Sequence, residues 1–142
     1  MRSLLIFLFS LVFMSAAAQD LAGIWRGHFR QDNGNRMLDS LGIEERYKFE
    51  TQISQTDKAF EGVTYSYQTT VFYGKATCVG TINKQTKKVL LQETKIVELK
   101  SMSGGACIMT CFLQYSKVGN EEFLEGTYTG ISIQDSSFCG KG

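Results

Sequence analysis

The sequence predicts an all-β protein: an antiparallel up-and-down meander that closes into a barrel of about 7–8 strands behind an N-terminal export segment. Three observations predict it. From Leu21 onward apolar residues recur with a period of two, the spacing of strands that are wet on one face. The links between these segments are short and rich in turn residues, which makes successive strands antiparallel neighbours. No proline occurs in the 142 residues, so no ladder position lacks a donor for that reason.

Taken in order, strands are expected near residues 21–30, 46–55, 59–68, 70–82, 88–100, 107–117 and 122–132. In the second, Tyr47, Phe49, Thr51 and Ile53 alternate with Arg46, Lys48, Glu50 and Gln52, so one face is wet. In the third, Val63, Tyr65 and Tyr67 alternate with Thr64, Ser66 and Gln68, and the tyrosine face is expected inside. In the fourth, Phe72, Gly74, Ala76, Cys78, Gly80 and Ile82 share a face; so many small residues there mark a bend or the close approach of another backbone. Asn83 to Lys87, Ser103 to Gly105 and Gly119-Asn120 read as hairpin links. Gln31 to Glu45 reads as a polar loop with room for one turn of helix. The end of the chain, Phe138-Cys139-Gly140-Lys141-Gly142, reads as a turn. The barrel is then either seven-stranded and partly open, or its last strand belongs beyond Gly142, the reading favoured here.

Length bounds the chain to one domain after the leader. Met1-Arg2-Ser3 supplies a short positive start, Leu4 to Met14 an almost unbroken apolar run, and Ser15 to Ala18 a small-residue stretch before Gln19. This pattern predicts a secretory signal peptide over 1–18, cut between Ala18 and Gln19, with residues 19–142 as the mature domain, secreted or periplasmic. The apolar run is shorter than the ~20 residues that span a bilayer, so no stable membrane anchor is expected. Fifteen bases against fourteen acids give a net charge of +1, which leaves no electrostatic footprint for nucleic acid.

Four cysteines in an exported chain read first as two disulfides. Cys107 and Cys111 point to one face of a strand but lie ~13 Å apart at ~3.3 Å per residue, too far to bond to each other. Cys139 follows the strand expected beside Cys107, so Cys107–Cys139 is the favoured pair. Cys78 and Cys111 then either pair or remain free thiols. The spacing of Cys107 and Cys111 is not that of a zinc knuckle and His28 is isolated, so neither metal nor cofactor is expected.

Leu21-Ala22-Gly23-Ile24-Trp25 is similar to the Gly-x-Trp opening of the first strand in the calycin superfamily of lipocalins and avidin-like barrels. Phe60 to Ser66 and Leu124 to Thr129 look like the Gly-x-Tyr strand openings of avidin-like chains. The mature chain as a whole resembles small exported bacterial lipocalin-like domains of unassigned activity. The resemblance implies a closed barrel with Trp25 as a structural residue at one end. With one tryptophan in the chain, biotin is not an expected ligand.

Trp25, Tyr47, Phe49, Tyr65, Tyr67 and Tyr128 are the candidate lining of a ligand cavity, since such cavities are mostly apolar with a few polar groups; the same residues would also serve as ordinary barrel core. His28 shares a face with Arg26 and Arg30, opposite Trp25 and Phe29, and reads as a solvated strand residue. No Gly-x-Ser-x-Gly turn accompanies it, so no catalytic residue is assigned. Glu93 and Glu98, flanking Lys95, Glu121-Glu122 and Glu44-Glu45 read as solubilising charge. The expected function is an exported, non-enzymatic barrel whose open end binds a small hydrophobic or amphipathic ligand. The alternative is a filled barrel whose outer surface or Gln31 to Glu45 loop engages an extracellular protein or glycan.

Overall fold

The computed structural model describes residues 19–32, 40–41, 46–68, 72–102 and 105–142. The expected leader, most of the Gln31 to Glu45 loop and part of the Ser103 to Gly105 link lie outside the described residues. Eight strands follow in chain order: β1 (Gly23–Phe29), β2 (Tyr47–Thr56), β3 (Ala59–Gln68), β4 (Phe72–Asn83), β5 (Lys88–Ser101), β6 (Cys107–Val118), β7 (Glu121–Ser132) and β8 (Phe138–Lys141). Each pairs antiparallel with the next in one sheet of order β1 to β8, and the sheet curls into a half-barrel. The all-β meander expected from the period of two is therefore present.

One expectation needs correction. The stretch from Phe138, read as a turn, is strand β8, with Gly130 opposite Gly140 and Ile131 opposite Phe138. The turn lies earlier, over 133–137, where the Asp135 carboxylate accepts the Ser137 N–H at 3.0 Å and its hydroxyl at 2.7 Å. β8 is held from both sides. Gly142 and Tyr128 exchange backbone hydrogen bonds, while the Asp32 N–H donates to the Lys141 carbonyl at 2.8 Å. Gln31 Nε2 also reaches the Cys139 carbonyl, so the segment after β1 touches β8.

The hairpin links at Asn83 to Lys87 and Gly119-Asn120 form as expected. Asn83 Oδ1 accepts the N–H groups of Gln85 and Thr86, each at 3.0 Å, and Gly119 takes the positive φ (62°) that its turn requires. The small-residue face of β4 also has its reason. Phe60 of β3 lies across Gly80, where a Cβ would strike both that ring and the Leu90 carbonyl. Two register shifts in the β4–β5 ladder leave Val97 and Thr94 as extra residues on β5. Such bulges bend the strand and change which residues face inward. Ile96, between the two, and Leu99, beyond them, line the interior at a spacing of three.

The interior of the half-barrel is divided along its axis. Near the β2–β3, β4–β5 and β6–β7 hairpins it is filled by Leu21, Ile53, Phe60, Ile82, Val89, Leu91 and Tyr115. At the opposite end, β5 and β6 part. Their ladder runs only from Lys88–Gln114 to Gln92–Thr110, although both strands extend further. That end is tied instead by the Cys107–Cys139 disulfide, whose Cα atoms are 6.3 Å apart, as the sequence led us to expect.

Because that bond closes a loop with a sequence separation of 32, its loss should cost about 3–4 kcal/mol on loop-closure entropy. The double variant Cys107→Ser, Cys139→Ser should show that loss in urea unfolding followed by circular dichroism. Hydrogen exchange should place the largest loss of protection in β8, which has the shortest ladder.

Candidate functional site

A cavity of about 310 Å³ occupies the end of the interior where β5 and β6 part. Its walls include Phe29, Tyr47, Phe72, Ile96, Leu99, Met109 and Tyr128, together with Ser66 and Glu93. Alternation on each strand delivers these side chains inward. The aromatic wall is a connected cluster centred on Phe29. Its ring stacks on Tyr47 at 5.0 Å between centroids and meets Tyr128 edge-on at 5.2 Å and Phe49 edge-on at 5.9 Å. Phe72 meets Tyr47 edge-on at 5.8 Å. Such geometries align ring edges with ring faces and favour a fixed wall. Burial, with the Asp32 charge adding, pushes the Tyr128 phenol up to about 12, so it remains a neutral donor at physiological pH.

A second cavity, of about 580 Å³, lies between β1 and β7, below the end of β8. Trp25, Phe49, Leu91, Cys111 and Leu124 line its inner side, and Arg26, His28 and Glu125 its rim. Phe29, Met109 and Tyr128 border both cavities.

Of the residues assigned from sequence, Tyr47, Phe49 and Tyr128 come together around Phe29. Trp25 does not join that cluster. Its Nε1 donates to the Leu21 carbonyl at 2.8 Å and its ring meets Tyr115 edge-on at 6.4 Å, which anchors it beside the packed end. The inward assignment of Tyr65 and Tyr67 is corrected. Phe60, Thr64 and Ser66 are the buried residues of β3, which turns both tyrosines to the outer face. There Lys75 Nζ lies 5.4 Å from the Tyr65 ring centre and Lys48 Nζ 5.7 Å from that of Tyr67. The reason is register: Thr64 sits opposite both Thr51 and Ala76, which are themselves buried.

The residue that sequence reasoning missed is Glu93. Read as solubilising charge, it is only 7% exposed and faces inward. One carboxylate oxygen accepts the Thr64 hydroxyl at 2.5 Å and the other the Met109 N–H at 2.8 Å. Met109 is the next inward residue of β6 after the ladder with β5 ends, so this carboxylate takes the place of a lost strand partner. Burial pushes its pKa up, countered by the bonds from Thr64 and Met109. The signal was available: Glu93 continues the inward series Val89, Leu91. Phe72 was legible likewise, on one face with Gly74 and Ala76.

Cys78 and Cys111 are free and buried. Cys78 lies opposite Glu93 and Cys111 opposite Leu91, so all of β5 stands between them. Burial pushes Cys78 up to about 11, the Thr51 hydroxyl opposing and the Glu93 charge adding. Cys111 is pushed up to about 12, by burial first and then by Glu93 and Cys78.

Comparison of the chain with protein-family models, with curated proteins and with solved structures finds no match.

Thiols so far from their reactive form should resist labelling. In the native protein neither Cys78 nor Cys111 should react with iodoacetamide at pH 7.5 on the time scale of a free thiol control, and both should react in urea, as read by intact mass.

Glu93 also fixes a sign for pH dependence. A carboxyl whose folded pKa is raised binds its proton more readily in the native state than in the unfolded chain. Its contribution to stability therefore falls as pH rises from the ordinary value of 4.5 through its own higher value. The exposed carboxylates of Glu50, Asp57, Glu122 and Asp135 are shifted down and act with the opposite sign, but a single substitution leaves them in place. Glu93→Gln should lose less stability than wild type over that window in denaturant titrations. Glu93→Ala, which strands the Met109 N–H, should be destabilised by about 1–3 kcal/mol.

Proposed function

We propose that the protein is an exported, non-enzymatic barrel of lipocalin-like type that holds a small hydrophobic or amphipathic molecule in its hollow end. The contrast between the two halves of the interior carries this reading. Side chains including Ile53, Phe60, Ile82, Val89 and Tyr115 pack the end near the hairpins, while the other end keeps a cavity of about 310 Å³ with an aromatic wall, within the size range of small-molecule sites, roughly 300–1,000 Å³. A barrel that served only as a scaffold would gain by filling that space, since unfilled apolar volume costs stability. Contact between the segment after β1 and β8, through Asp32 and Lys141, supports closure of the sheet at this end. The apolar leader pattern of residues 1–18 supports export.

A second reading, an interaction module, draws on the outer face of β7 and β8. Ile131 and Phe138 lie opposite each other there, 44% and 62% exposed. Exposed apolar pairs of this kind mark contact surfaces when they belong to a larger patch.

The neutral apolar dye N-phenyl-1-naphthylamine separates the two. On the cavity reading it binds one per chain with enhanced fluorescence, and Ala76→Leu, which fills the wall from a buried position, weakens it about tenfold or more. Absence of saturable binding, with Phe138→Ser abolishing self-association or partner capture, selects the interaction module.

A further inference from the structure

Within the cavity just described the chemistry is unevenly distributed. Among the described lining residues none is basic, and Glu93 is the one acidic side chain. It is 7% exposed, and its hydrogen-bond partners, the Thr64 hydroxyl and the Met109 N–H, are both neutral. No cation among the described residues contributes to its electrostatics. Burial raises the cost of ionising this carboxyl, and a cation set against it would offset that cost, since a buried charge is ordinarily paired.

Position makes this carboxylate available to a ligand. Glu93 sits where the β5–β6 ladder stops, at the border between the filled half of the interior and the hollow half. Ile96 and Leu99 follow it on the same strand, Met109 lies beside it, and Tyr128 lines the same cavity. Among the described residues each of its oxygens accepts one bond, which leaves lone pairs for a further donor. Thr64 and Met109 hold the group in place, so a ligand would find it preoriented.

We propose that Glu93 is the head-group anchor of the cavity and that the ligand class is a small amphipathic amine: an apolar body against Phe29, Phe72 and Leu99, with a protonated nitrogen donating to the Glu93 carboxylate. This rests on the cavity reading above and narrows it to one chemistry. A carboxylic acid of the same length could bring no cation to the carboxyl, and an alcohol would make only a neutral hydrogen bond, so the class follows from the sign of the charge that Glu93 carries when ionised.

The test uses three probes of equal chain length, n-octylamine, 1-octanol and sodium octanoate, titrated into the full mature chain at pH 7 by calorimetry. Octylamine should bind about tenfold or more tighter than octanol, the margin of one charge-assisted bond, and octanoate weakest of the three. In Glu93→Gln the octylamine affinity should fall to that of octanol, with octanol unchanged. Glu98→Gln, at an exposed position of the same strand, should keep the preference, which rules out adsorption of the amine to surface acids. Octanol and octylamine binding equally in wild type would overturn the anchor while leaving the cavity reading standing. Failure of all three probes to bind would overturn both. The wild-type comparison decides the matter even where Glu93→Gln does not fold.

Discussion

The Glu93 carboxylate ties three strands together at the point where the β5–β6 ladder ends. From β5 it reaches the Thr64 hydroxyl on β3 and the Met109 amide on β6. The second bond matters most for the architecture, because it falls just past the last rung of the β5–β6 ladder. Strands that separate leave amides to be satisfied, and an unsatisfied buried amide costs on the order of a lost hydrogen bond or more. A side-chain acceptor at this point lets β5 and β6 diverge at modest expense, and divergence is what opens the end of the interior. The bulges that leave Thr94 and Val97 unpaired follow directly after Glu93 on the same strand, so the bend and its hydrogen-bonded pivot are adjacent.

The two halves of the interior follow from this pivot. Toward the hairpins the ladders are continuous, and Phe60 closes over Gly80 to fill the middle. Away from the hairpins the strands are held by other means. Cys107 of β6 is bonded to Cys139 of β8, and Asp32 and Gln31 reach β8 from the β1 side. Aromatic rings then line the space, held against the wall by one stacked and several edge-on contacts. Phe29 is central to this arrangement, touching Tyr47, Phe49 and Tyr128.

Much of this was legible in the sequence where a simple period of two operates. On β2, Tyr47 to Ile53 alternate without interruption, and the structure follows them. On β3 the same rule was applied to the wrong face: tyrosines are larger and more apolar than Thr64 and Ser66, yet Phe60 fixes the parity of the strand and sends the hydroxyls inward. On β5 the local series Val89, Leu91, Glu93 pointed inward, but the charge of Glu93 outweighed its position in the reading. The two bulges beyond it depend on how β4 curves and leave no mark in composition. The last strand was hidden for another reason. With two glycines in its final three residues, the Phe138 to Gly142 stretch has the composition of a turn, and it becomes a strand through the disulfide and the pairing to β7. The cysteines were better guides, since the distance between Cys107 and Cys111 along one strand forbids their union whatever the fold.

Cys107 and Cys111 show how one strand can carry two chemistries. They share one face of β6 four residues apart, and each takes the character of its level in the half-barrel. Cys107 lies where β6 has left β5 and β8 comes within bonding distance, so its sulfur becomes a covalent tie. Cys111 lies opposite Leu91 within the intact ladder, where burial suppresses ionisation and its thiol stays free. The change from packed core to tied-open wall thus occurs between these two residues, at Met109, whose amide is held by Glu93. A substitution at Met109 that left its backbone in place would alter the shape of both cavities, since its side chain borders each, without breaking the bond that keeps the strands apart.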